Sequence, residues 1–245
     1  MSSHRHAGQH QGRPTASSLH LLRQQPHVVL GPLFWGLFRA RAQEQREWRY
    51  PAGPSEVSIE GIDPVRILII GDGPAAGCGV LIHELGIAGF LARHIAEGIK
   101  RGVVVTVRAQ PAASARSTLR RLDDIDLDLY DSIVLMLATT DAFCLTSRRS
   151  WQRSMTGLVQ ALNSADTSSV FVTSAASLHM ATSISPVARR LTGSHARMLD
   201  IETGRICVES SVPMIPLDAA SDLTPCTYAR WGRRIGAHVI SSLRG

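Results

Sequence analysis

Residues 66–79 read RILIIGDGPAAGCG, an apolar run that ends in a glycine-rich loop. The run shows no polar alternation, so it predicts a strand covered on both faces, as in a parallel sheet. A helix is expected next, because Leu81, Leu85, Ala88, Leu91, Ile95 and Ile99 recur at steps of three and four. Further strands are expected at residues 103–107 (VVVTV), 132–137 (SIVLML), 170–173 (VFVT) and 212–215 (VPMI). Helices are expected between and after them, at residues 117–122, 147–162, 187–199 and 228–243. Strand and helix in alternation predict a three-layer α/β/α sandwich on a five-stranded parallel sheet. In such sheets ligands bind beyond the carboxyl ends of the strands, which directs attention to the loops after Ile70, Val107 and Leu137.

Outward from this body, the N-terminal part has a different character. Residues 1–27 are a polar tail rich in Ser, His, Gln and Gly, without apolar period, and are expected to be disordered. Residues 28–60 join an apolar stretch (VVLGPLFWGLF) to an arginine-rich one and then to YPAGPSE, whose prolines and glycine mark a linker. The main domain is therefore expected over residues 61–245. Residues 28–49 are expected to dock on that domain, with weak peripheral contact to an anionic membrane as the alternative.

Composition excludes several classes of function. The net charge is +6, but residues 1–50 hold seven Arg and two Glu, whereas residues 51–245 hold 19 Lys plus Arg and 18 Asp plus Glu. A basic groove across the folded body, and hence nucleic acid as a partner, is not expected. The four cysteines, Cys78, Cys144, Cys207 and Cys226, form no CxxC pair, so neither a disulfide framework nor a zinc ribbon is expected. No apolar stretch reaches the roughly 18 residues of a membrane span. A cytoplasmic location follows as the expectation, with membrane association through residues 28–49 held open.

The loop after the first strand admits two readings. Gly71, Gly73 and Ala76 satisfy the dinucleotide fingerprint G-x-G-x-x-A, but the second strand runs into Arg108, Ala109 and Gln110, where such units carry an acidic residue for the ribose. Alternatively, GDGPAAGCG resembles the first block of the SGNH (GDSL) hydrolase family, in which G-D-S carries the nucleophilic serine. Residues 109–116 (AQPAASAR) are similar to the second block. Residues 138–141 (ATTD) look like the third, G-x-N-D, and residues 221–225 (SDLTP) resemble the fifth, D-x-x-H-P. The order of the blocks and their placement at strand ends favour the hydrolase resemblance over residues 65–243. It implies an SGNH hydrolase-like, flavodoxin-like fold and an ancestry among esterases and lipases acting on lipids and carbohydrates.

The functional positions implied by the resemblance carry the wrong side chains. The nucleophile falls on Gly73, which has nothing with which to attack a carbonyl. The oxyanion glycine falls on Ala112 and the oxyanion asparagine on Thr140. The base histidine falls on Thr224 and its carboxylate partner on Ser221, with Asp222 one position out of register. A hydroxyl does not serve as a base near neutral pH. Asp72 and Asp141, which the family also carries, are expected to shape their loops by accepting backbone hydrogen bonds.

A substitute nucleophile is conceivable in Cys78, with His83 five residues further on. His83-Glu84 does not complete H-E-x-x-H, because position 87 is Ile, and the aspartates between 123 and 128 lack the glycine and terminal glutamate of a calcium loop. No metal and no cofactor are expected. The sequence thus predicts a hydrolase scaffold without hydrolytic machinery, binding an acyl or carbohydrate ligand or a protein partner through Asp72, Gly73, Ala112, Thr140 and Asp141. A residual or rearranged esterase and a dinucleotide-binding oxidoreductase are the alternatives.

Overall fold

The computed structural model of the protein describes residues 49–165, 169–175 and 186–244. The elements in chain order are β1 (Glu56–Ile59), β2 (Val65–Gly71), α1 (Ile87–Ile99), β3 (Val103–Ala109), α2 (Ala115–Leu119) and β4 (Ser132–Met136). They continue with α3 (Thr139–Phe143), α4 (Arg148–Asn163), β5 (Ser169–Thr173), α5 (Pro186–Glu209), β6 (Met214–Ile215) and α6 (Pro225–Arg244). The residues of the expected disordered tail, 1–27, and residues 28–48 of the expected apolar and basic segment lie outside the described residues.

The sheet has six strands in the order β1-β3-β2-β4-β5-β6, one more than the five expected. Five of them are parallel, and the extra one, β1, pairs antiparallel with β3 through Glu56↔Thr106 to Ile59↔Val103. Residues 56–59 therefore contribute a strand to the sheet. Residues assigned to a linker form an edge strand whose short EVSI segment carries too little periodic signal to be read alone.

The apolar run of β2 lies between β3 and β4, and its side chains divide between two cores. Ile67 and Ile69 face Leu91 and Ile95 of α1 and Trp231 and Ile235 of α6. Leu68 and Ile70 face the other layer, with Trp151, Met155 and Leu158 of α4 and Leu199 of α5. Burial on both faces is why β2 has no polar alternation. Helix α1 begins at Ile87, later than the heptad-like spacing suggested. Leu81 and Leu85 do not belong to its buried stripe: they are 58% and 41% exposed on the approach to the helix.

The first parallel strand stands inside the sheet, with β3 on one side and β4 on the other. Chain connections leave β2 in one direction and reach β4 on the opposite side, so a crevice opens beyond the carboxyl ends of these strands.

Candidate functional site

The residues beyond β2, from Asp72 to Gly79, form successive turns instead of opening a helix. Gly71 runs into Asp72, whose N–H donates to the Met136 carbonyl at the end of β4 (3.1 Å). The Asp72 carboxylate is buried and its Oδ2 accepts the N–H of Thr140 (2.9 Å). Oδ1 has no hydrogen-bond partner among the described residues. Burial pushes the Asp72 carboxyl up to about 7 despite the Thr140 N–H, and the nearby Asp141 charge adds to the rise.

Asp141 is equally buried and ties two further loops together. Its Oδ2 accepts the N–H of Ala115 at the start of α2 (2.8 Å), and its Oδ1 accepts the Thr146 hydroxyl (2.7 Å). Burial raises its carboxyl above the usual range, opposed by these two hydrogen bonds. The two aspartates thus accept backbone hydrogen bonds from Thr140 and Ala115, which join the first, second and third loops.

Position 73 is occupied by backbone alone. A Cβ placed on Gly73 would stand 3.3 Å from the Tyr50 hydroxyl and 3.5 Å from the Pro111 carbonyl. Tyr50 arrives on a strap formed by the first described residues. The Arg49 carbonyl accepts the Gly79 N–H (2.8 Å), Pro51 packs on Gly77, and the Ala52 N–H donates to the Leu81 carbonyl (3.2 Å). Gly77 has φ +81°, and a Cβ there would meet the Pro51 ring at 2.7 Å, so glycine is required on both counts. The tyrosine was not identifiable from sequence as a site residue. The prolines and glycine after it mark a linker, but not where that linker lies.

The second and third loops hold Ala112 and Thr140, two positions that the resemblance singles out. Ala112 is exposed in the turn closed by the Ala113 N–H to the Gln110 carbonyl (3.0 Å). Ala138, at the glycine of the G-x-N-D pattern, has φ +94°, a left-handed conformation that an L side chain adopts only under strain. Thr140 follows in α3, buried, with its N–H committed to Asp72.

The fifth block has become a helix start. Thr224 precedes Pro225, the first residue of α6, and its Oγ1 accepts the N–H of Thr227 (3.4 Å). A threonine at that place satisfies one of the free N–H groups of the first turn, a role open to its hydroxyl and not to proton abstraction. Ser221 and Asp222 are exposed, and the Asp222 carbonyl accepts the Thr227 hydroxyl (3.2 Å). This loop reaches the first block through Leu223, whose carbonyl lies against Gly79, and through Tyr228, whose hydroxyl donates to the Cys78 carbonyl (2.6 Å).

Cys78 is 1% exposed, and burial pushes its thiol up to about 12, against the lowering effect of a hydrogen bond with Tyr50. At neutral pH it is a thiol, not the thiolate that nucleophilic attack requires. His83 stands in a short 3-10 turn at residues 83–85, half-buried, and burial lowers its pKa. The dinucleotide fingerprint also lacks its structural context. Its pyrophosphate site needs a helix opening on the glycines, whereas α1 begins only at Ile87. Among the described residues no three His, Cys, Asp or Glu side chains form a metal-binding group, and no helix is long and apolar enough to cross a membrane.

The architecture is that of the SGNH (GDSL) hydrolases. The lipase/acylhydrolase from Enterococcus faecalis superposes with a TM-score of 0.56 at 16% identity, over 72% of this chain and 96% of its own. A psychrotrophic esterase, EstA from Pseudoalteromonas sp., gives 0.56 at 18% identity, over 74% and 99%. A lipolytic protein of the G-D-S-L family from Desulfitobacterium hafniense gives 0.55 at 12% identity, over 73% and 99%. No protein-family model and no curated protein matches the sequence itself. At these identities the likeness establishes the fold alone.

Proposed function

We propose that this protein is a non-catalytic member of the SGNH hydrolase fold, retained for binding and not for ester cleavage. The observation that carries this reading is the nucleophile position: Gly73 offers no side chain, and the Tyr50 hydroxyl lies 3.3 Å from where a Cβ would stand. The base position supports it, since Thr224 caps α6. Loss of nucleophile and base together removes on the order of 10⁶ in rate in a well-studied hydrolase.

Proteins that share the fold include an acylhydrolase and an acetyl xylan esterase from Geobacillus stearothermophilus, and their names suggest the ligand class. An acyl chain or an acetylated carbohydrate is the ligand proposed, held near Asp72, Gly73, Ala112, Thr140 and Asp141. A protein partner that recognises the same face is the second form of this binding role. Turnover of p-nitrophenyl acetate and butyrate by the full chain tests the reading, and hydrolysis at the buffer rate is expected. A rate above background that disappears in Cys78→Ala would establish a rearranged thiol esterase instead.

A further inference from the structure

A cavity of about 450 Å³ opens beyond the carboxyl ends of β2 and β3, beside the turn that carries Ala112 and bounded on its other side by α2. Its floor is apolar, from Ile70, Ala113 and Ile125, and two arginines, Arg108 and Arg121, line it together with Gln110 and Thr118. None of these four is a position that the hydrolase pattern uses. We propose that this cavity is a binding site for a small organic anion, gripped by Arg108 and Arg121 through a carboxylate or phosphate group.

Four observations support the assignment. The volume lies within the range of small-molecule sites, roughly 300 to 1,000 Å³. Neither arginine side chain forms an ion pair or a hydrogen bond among the described residues, although the chain elsewhere pairs Arg101 with Asp63 and Arg234 with Asp218. Two uncommitted guanidinium groups on one concave surface suit planar oxyanions, which arginine binds through parallel N–H donors. Thr118 adds a hydroxyl whose Oγ1 is shielded from solvent and has no hydrogen-bond partner among the described residues.

The location agrees with the fold, because the cavity touches Gly71 and Gln110 beside the crevice where such sheets bind ligands. Asp124 is the one acidic side chain that lines the cavity among the described residues, so that lining carries one net positive charge. The apolar floor selects for an anion with a hydrocarbon or ring body over a bare inorganic ion. This site does not depend on whether the protein cleaves esters.

Isothermal titration of the full chain at constant ionic strength tests the proposal with three probes: octanoate, adenosine 2′-monophosphate and inorganic phosphate. Saturable binding of octanoate or the nucleotide is expected at millimolar concentration or tighter, with inorganic phosphate weaker. A preference for octanoate identifies a carboxylate ligand, and a preference for the nucleotide a phosphate one. The double variant Arg108→Gln, Arg121→Gln should weaken binding by at least about tenfold, the loss of roughly one charge-assisted hydrogen bond. Both arginines are exposed, so circular dichroism should show an unchanged fold. Arg116→Gln, on α2 but outside the cavity, should bind as the parent does. Absence of saturable binding by octanoate and the nucleotide would overturn the proposal, as would equal binding by the double variant.

Discussion

The hydroxyl of Tyr50 lies 3.3 Å from the point at which a Cβ on Gly73 would stand. The position that resembles a nucleophilic serine therefore carries no side chain and has a tyrosine hydroxyl in contact range. The strap that brings Tyr50 there is held by backbone hydrogen bonds at Arg49 and Ala52, so the contact belongs to the fold of the domain.

Gly73→Ser should leave ester hydrolysis at the buffer rate. A serine Cβ needs only a few tenths of an ångström of adjustment by the Tyr50 ring, so the variant should fold with a stability change within about 1 kcal/mol. It would still lack a base, because Thr224 supplies a hydroxyl to a helix terminus. Turnover of p-nitrophenyl acetate appearing on this single substitution would show that another residue supplies the base.

Alkylation should discriminate among the four thiols. Cys226 is exposed, Cys144 is half-buried, and Cys78 and Cys207 are buried. Iodoacetamide at pH 8 followed by peptide mapping should label Cys226 first and leave Cys78 unlabelled until the protein unfolds. Labelling of Cys78 at the rate of Cys226 would contradict the burial that pushes its thiol up to about 12.

Asp72 should make stability depend on pH between about 4 and 7. Its carboxyl titrates near 3.8 when unfolded and at about 7 when folded, so across that window the folded state holds a proton that the unfolded state has released. The slope of unfolding free energy with pH is then negative: this group favours the fold most below its unfolded pKa, and that contribution is lost as pH rises through 7. The full loss is on the order of 4 kcal/mol at about 1.4 kcal/mol per pH unit. Asp72→Asn keeps an acceptor for the Thr140 N–H and removes the titration. Urea unfolding at pH 5 and pH 8 should show a smaller difference for the variant, which should be the more stable protein at pH 8.

Ala138→Gly should stabilise the chain by about 1 kcal/mol. The φ of +94° costs an alanine more than a glycine, and relief of that strain exceeds the added freedom of the unfolded chain. Thermal unfolding measures the gain, and a lower midpoint for the glycine variant would show that Ala138 contributes packing that outweighs its backbone strain.

Tyr228→Phe should cost about 1 to 3 kcal/mol. The ring is fully buried and its hydroxyl is the donor to the Cys78 carbonyl, which would be left without that partner. Denaturant unfolding at neutral pH checks the value. An unchanged midpoint would mean that the junction between α6 and the first block contributes little to stability.

The sequence by itself determined the strands and the order in which they carry the loops. Continuous apolar runs such as residues 66–70 have no stable place except between two helical layers, and that constraint is written in adjacent residues. It also placed Gly73, Ala112, Thr140 and Thr224 in the loops that the resemblance singles out, because those residues are read by position alone. Tertiary structure alone decided what surrounds these loops. Tyr50 over Gly73, Leu223 against Gly79 and Tyr228 on Cys78 join residues far apart in the chain, and no local periodicity encodes such contacts. The edge strand β1 and the late start of α1 belong to the same class. Pairing with β3 creates the strand, and the turns of the first block exclude Leu81 and Leu85 from the helix. Hydrophobic pattern specifies which face is buried. The closing of a concave site depends on where distant backbone segments meet, and that is fixed only when the whole sheet has assembled.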